Sequence, residues 1–194
     1  MHSLKKGFSL IELLVVIAII GILAAVGTTG YQVYIDSTKA AVVKNNAATL
    51  LQAISNEDMA QSAGVGGYAE CDDKDNLPRC VTAILAASTL SNPYQLNARY
   101  KVESSLLSYW SSNPDAALNN GIVSFISLTM FGLGRNGINE YCSDNAERIS
   151  GMILLLVDYR KQQTISAAYC DGKEMREHRE AGSKKLSFFV AVDS

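Results

Sequence analysis

Histidine is nearly absent from this sequence: His2 and His178 are the two present in 194 residues. A Ser-His-Asp arrangement has almost nothing to draw on. No Gly-x-Ser-x-Gly elbow and no Gly-rich phosphate loop ahead of a helix is present either. Zinc is equally poorly served. It takes about four Cys or His ligands at short, paired spacings, whereas Cys71, Cys80, Cys142 and Cys170 form no Cys-x-x-Cys pair. No catalytic residue, cofactor site or metal site is expected, and a secreted hydrolase is the enzyme reading set aside. A basic excess is missing too: the formal charge of −2 argues against a general nucleic-acid binder. With 48% hydrophobic and 19% charged residues the chain can build a packed core, so disorder is not expected. The length fits one folded domain plus one special segment.

Charge is wholly missing from Leu13 to Ile35. At about 1.5 Å per helical residue, this run could span a hydrocarbon core of about 30 Å. Lys5 and Lys6 precede it, and positive charge on that side predicts a cytoplasmic N-terminus. The stretch "LKKGFSLIELLVVIAIIGILAAV", Leu4 to Val26, carries a single carboxylate, Glu12. In an ordinary signal peptide cut near Ala24 and Ala25, or in a plain anchor, Glu12 is an unexplained penalty. It would cost about 2.5–3.5 kcal/mol at mid-membrane, less if it snorkels from the start of the run. A cut after Gly7 removes the difficulty. Glu12 then lies about one helical turn from a new amine on Phe8. The two opposite charges can neutralise each other in an apolar medium, within one chain or between neighbours.

"KKGFSLIELLVVIAIIGILAAV" resembles the N-terminus of type IV pilins and of the pseudopilins of type II secretion systems. Gly7, Phe8, Glu12 and the apolar run that follows all match that motif, over Lys5 to about Tyr34. The resemblance implies that a prepilin peptidase cuts between Gly7 and Phe8 and that the new N-terminus is methylated. It implies that Glu12 pairs with the Phe8 amine of an adjacent subunit as a homo-oligomeric filament grows. The implied partners are other, minor pilins and an inner-membrane assembly platform with its ATPase. The implied location is the inner membrane as a single-pass precursor, then an extracellular pilus or a periplasmic pseudopilus. Transfer from lipid to a protein core gains little hydrophobic energy, so the charge pair can set the axial step between subunits. Loss of Lys5 and Lys6 with the leader takes the formal charge from −2 to −4. One departure from the family stands out. Many type IV pilins carry a proline where this chain has Thr29, and Gly27, Thr28, Thr29 and Gly30 are all poor helix formers. They either allow close packing or make a weak turn that can melt or stretch in the filament.

Beyond the apolar run, Val43, Ala47, Leu50 and Ile54, with Leu51 beside them, mark one apolar helix face, while Asp36, Lys39, Lys44 and Asn46 interrupt it. The expectation is one helix from about Phe8 to Gln61, ending before "AGVGGY". Residues 1–7 are then a leader, 8–35 a hydrophobic helix, 36–62 its amphipathic continuation, and 63–194 a globular head.

Within the head, "GVGGYAECDDKDNLPRC" reads as a loop with turn signals that Cys71 and Cys80 would close. Asp72, Asp73 and Asp75 lack the EF-hand pattern and read as a solvated acidic turn. Arg79–Leu90 and Lys101–Ser112 look like short helices separated by "NPYQ", with Tyr109 and Trp110 as packing residues. Gly121–Gly134 is either strand or buried helix. Met152–Arg160, Thr164–Cys170 and Lys185–Val192 are strand-like, and "KQQ" joins the first two as a hairpin. An antiparallel sheet leaning on the long helix gives an α+β fold.

Four cysteines downstream of a membrane-directing segment fit two disulfides made outside the cytoplasm, four buried thiols being the bland reading. Cys142 and Cys170 would tie the loop before the sheet to its middle strand, and the family's C-terminal disulfide supports that pairing. Asp171–Lys185 holds Lys173, Arg176, Arg179, Lys184 and Lys185 against Asp171, Glu174, Glu177 and Glu180. It reads as a solvated excursion between strands, and nucleic-acid binding is not expected of it. The structural reading is therefore a type IV pilus subunit. A type II secretion pseudopilin and a DNA-binding minor or competence pilin are the alternatives.

Overall fold

The computed structural model describes residues 9–95, 98–103, 121–127, 142, 150–158, 164–171, 175–177, 184–187 and 189. Helix α1 (Leu10–Ala63) is its first element. The Ser9 carbonyl starts the helix by accepting from the amides of Glu12 (3.1 Å) and Leu13 (3.3 Å). Gly64 ends it. At φ +67° the glycine adopts the left-handed turn, its amide donates to Gln61, and the Val65 amide reaches back to Ala60. Those two bonds make a Schellman cap, which glycine favours because it has no Cβ. Helical structure continues without interruption through Gly27–Gly30.

The chain divides into two compact units, one ending at Thr38 and the other beginning at Lys39. In the first, the large apolar side chains from Leu10 to Val26 are exposed. In the second, Val43, Ala47, Leu50, Leu51 and Ile54 are wholly buried, as their helical spacing predicts.

Helix α2 (Leu77–Ala87) packs into the same core through Leu77, Cys80, Val81, Ile84 and Leu85. It begins where Asn76 accepts from the Arg79 amide at 3.1 Å and where Pro78 occupies the first turn, whose amides need no helical partner. Ser88 stops it by turning its hydroxyl onto the Leu85 carbonyl at 2.9 Å.

The strands are β1 (Ser91–Asn92), β2 (Ala98–Glu103), β3 (Gly121–Ser127), β4 (Ile153–Asp158), β5 (Thr164–Cys170), β6 (Met175–Glu177) and β7 (Lys184–Lys185). They form one sheet in the order β1-β2-β3-β4-β5-β6, with β7 also on β5. β4 and β5 make the expected antiparallel hairpin, in register from Ile153 opposite Tyr169 to Asp158 opposite Thr164. β6 pairs with the Ala168–Cys170 end of β5 and β7 with its Thr164–Ile165 end, both antiparallel. Ile153, Leu155 and Val157 on β4, with Ile165, Ala167 and Tyr169 on β5, share a core with α1 and α2. Leu154 and Leu156, on the other face of β4, are buried as well. A continuous apolar run suits a central strand covered on both sides. The fold is α+β.

Three details go beyond or against the sequence reading. β3 runs parallel to both β2 and β4, so the sheet is mixed. Lys101–Glu103 belong to β2 and not to a helix, because they pair with Ile122–Ser124. The rest of that expected helix, Trp110 and Tyr109 included, lies outside the described residues. Of the expected strand over Lys185–Val192, Lys185 lies in β7, the Ser187 and Phe189 amides bond to the Asp58 side chain, and residues 188 and 190–192 lie outside the described residues.

Candidate assembly site on the N-terminal helix

Side chains from Leu10 to Val26 cover the helix with hydrocarbon on every side, and the large ones are between 47% and 80% exposed. Tyr31, Val33 and Tyr34 continue the exposed apolar surface. A helix that is apolar all round is stable only where lipid or other protein surrounds it. It is the one described helix long and apolar enough to cross a membrane. A Cβ at Gly21, Gly27 or Gly30 would meet nothing within 4 Å, so this chain's own packing does not demand those glycines. Thr28 bonds its hydroxyl to the Ala25 carbonyl at 3.1 Å, which removes a polar group from an otherwise apolar surface.

Glu12 is the one carboxylate in this surface, in the first turn of α1. Its Oε2 accepts from the Ser9 amide at 2.9 Å. Ser9 and Glu12 stand three apart, the spacing of a capping box, and a negative charge there complements the positive end of the helix dipole. This local role was readable as "SLIE" but is independent of the pairing expected with Phe8. Gly7 and Phe8 lie outside the described residues.

The other expected site residues lie in the second unit. Cys71 closes a short 3-10 turn (Ala69–Cys71) and is bonded to Cys80 in α2, with the Cα atoms 4.4 Å apart. Cys142 is bonded to Cys170 at the end of β5, with the Cα atoms 5.7 Å apart. Asp72, Asp73 and Asp75 are all exposed, and Asp73 accepts the Asp75 amide at 3.1 Å in a local turn. Most of the charged excursion Asp171–Lys185 lies outside the described residues.

Several buried polar residues went unrecognised in the sequence. Asp58 is 2% exposed and accepts from the Ser187 amide, the Ser187 hydroxyl and the Phe189 amide. Glu57 accepts the Tyr68 amide at 2.9 Å. Asn92 donates to the Ser150 carbonyl and accepts the Tyr94 amide. Tyr100 donates to the Gly151 carbonyl at 2.8 Å. Burial pushes its hydroxyl well above the ordinary phenol range, the Asn46 side chain opposing and Tyr94 reinforcing that shift. For the carboxylates a signal existed: Glu57 and Asp58 follow Ile54 by three and four residues, which places them on the buried face.

Residues 2–28 match the family model described as the prokaryotic N-terminal methylation motif. A fimbrial protein of Neisseria meningitidis serogroup A is 30% identical over 131 residues, 61% of this chain and 72% of the relative. The chain belongs to the type IV pilin family. A type IV major fimbrial protein FimA of Dichelobacter nodosus is 48% identical over 54 residues, 28% of the pilin described here and 35% of the relative. A fimbrial protein of the same organism is 58% identical over 41 residues, 21% and 26% of the two chains. The matched part of this pilin thus spans about a third or less of those Dichelobacter relatives. No solved structure matches it.

Proposed function

We propose that this pilin is a structural subunit of a type IV pilus, cut between Gly7 and Phe8 and polymerised through the apolar half of α1. The observation that carries the reading is an exposed helix surface of pure hydrocarbon around a single carboxylate. Before assembly that surface is solvated by the inner membrane. In the filament, copies of the same surface replace the lipid. Glu12 then meets the amine of a neighbouring Phe8, and since apolar contact alone has no preferred axial register, the charge pair supplies it. The relatives' names, all fimbrial, favour a pilus over a secretion pseudopilus.

The division of the chain follows from this function. Residues 1–7 are removed, residues 8–35 serve membrane and filament in turn, residues 36–62 join the helix to the head, and residues 63–194 form the head. A prepilin peptidase, an assembly ATPase with its platform protein, and minor pilins are the partners this route requires. The two disulfides form after the head has left the cytoplasm.

Mass spectrometry of filaments sheared from the cell surface tests the reading. The expected product begins at a methylated Phe8 and carries both disulfides. Protein that still begins at Met1, or that is trimmed near Ala25 and shed as a monomer, would overturn it.

A further inference from the structure

We propose that Asp58 is a latch. From its seat on α1 it holds the segment Leu186–Phe189, about 130 residues away in sequence, against the helical side of the head. Its Oδ1 accepts from the Ser187 amide at 3.0 Å and the Phe189 amide at 3.2 Å. Its Oδ2 accepts from the Ser187 amide at 2.8 Å and the Ser187 hydroxyl at 2.9 Å. Ser62, one turn further along α1, adds a hydroxyl contact to Ser187 at 3.0 Å.

The bonding pattern explains why a carboxylate is tolerated there. A buried charge is costly unless hydrogen-bond donors surround it. Here two backbone amides and a hydroxyl from one segment donate to it, in bonds strengthened by the charge. Those amides come from residues 187 and 189, and a strand directs every second amide to one side. A strand partner would normally receive them. β7 stops at Lys185, and beyond it the helix carboxylate does the receiving. Held this way, Leu186 and Phe189 bury their side chains almost completely in the core.

The ladder beside the latched segment is short. β7 contributes two residues of ladder on β5. A segment that follows so short a ladder is a natural unit of local opening. Release of the latch would therefore free residues 184–189 and uncover the apolar slot beneath Leu186 and Phe189, while β4 and β5 stay paired. The inference concerns the head alone and does not depend on filament assembly.

Hydrogen exchange of the full chain in detergent micelles, read on peptides covering 184–189 and 152–158, tests it. In Asp58→Asn, half of the acceptor becomes a donor facing other donors. Exchange at Ser187 and Phe189 is expected to speed up by about tenfold or more, with β4 unchanged. Asp58→Ala is expected to do the same, and Ser187→Ala, which removes only the hydroxyl, to do much less. Unaltered protection of 184–189 in Asp58→Asn would overturn the proposal. So would an equal loss of protection in β4, which would make Asp58 a general stabiliser of the head.

Discussion

At the scale of single residues, the proposed function gives Glu12 two separable tasks. The Ser9 amide needs an oxygen, which glutamine supplies as well as glutamate. The amine of a cut Phe8 needs a negative charge, which glutamine lacks. Glu12→Gln is therefore expected to insert, to be cut, and to keep its capped first turn. Both Glu12→Gln and Glu12→Ala should enter filaments with wild-type subunits at least about tenfold less often, since breaking one buried ion pair costs about 3–5 kcal/mol. The variant-to-wild-type peptide ratio in sheared filaments measures this. Exclusion of Glu12→Ala with normal entry of Glu12→Gln would assign Glu12 to capping alone. Gly151 is a second residue with a narrow choice. It sits at φ +82°, and a Cβ there would collide with the Asn92 carboxamide. Gly151→Ala combines a left-handed backbone penalty of about 1–2 kcal/mol with the displacement of buried hydrogen bonds worth about 1–3 kcal/mol. Chemical denaturation of the variant should show the head weakened by about 2–5 kcal/mol.

At the scale of elements, the helical periodicity was the most legible signal. Val43, Ala47, Leu50, Leu51 and Ile54 are wholly buried, and the helix ends at the glycines that were read as its stop. The β4–β5 hairpin was equally plain, because its partners are neighbours in sequence. The parallel pairings of β3 were not readable: parallel neighbours need a long crossover, and nothing local in either strand names the other. Lys101–Glu103 failed for the same reason, since a distant strand overrode the local preference. Lys185–Val192 is strand-like in composition, yet a carboxylate on another element claims the Ser187 and Phe189 amides, which composition cannot reveal. The pair Gly27 and Gly30 belongs at this scale too. Both have open space around them, and alanine in their place should favour the helix by about 1 kcal/mol each. The double Gly27→Ala, Gly30→Ala variant is expected to assemble and to give filaments that stretch less under load in single-filament pulling. Failure to assemble would instead assign those glycines to close contact between subunits.

At the scale of the whole molecule, the two units differ in the surface they expose. The unit ending at Thr38 exposes hydrocarbon and calls for lipid or protein around it, whereas the described residues of the hydrophobic core lie in the second unit, at or beyond Val43. In the proposed function the head works outside the cell without support from the membrane, and its covalent links suit that need. Cys71–Cys80 encloses a separation of 9 residues and Cys142–Cys170 one of 28. Loop-closure entropy grows with the logarithm of loop length, so the longer bridge should restrict the unfolded chain more, by about 3–4 kcal/mol against somewhat under 3 kcal/mol. The longer bridge also ends on Cys170, whose backbone bonds to Gly151 and Met152 at the start of β4, so its loss loosens the edge of the central hairpin. Replacing Cys142 and Cys170 together by serine is expected to lower stability in urea more than replacing Cys71 and Cys80 together. The m-value should rise in both variants, because losing a cross-link lets the unfolded chain expand. A reversed order would mean that the short bridge acts chiefly on the folded head, by fixing the 3-10 turn to α2, and that chain entropy does not govern the choice of cysteine pairs in this pilin.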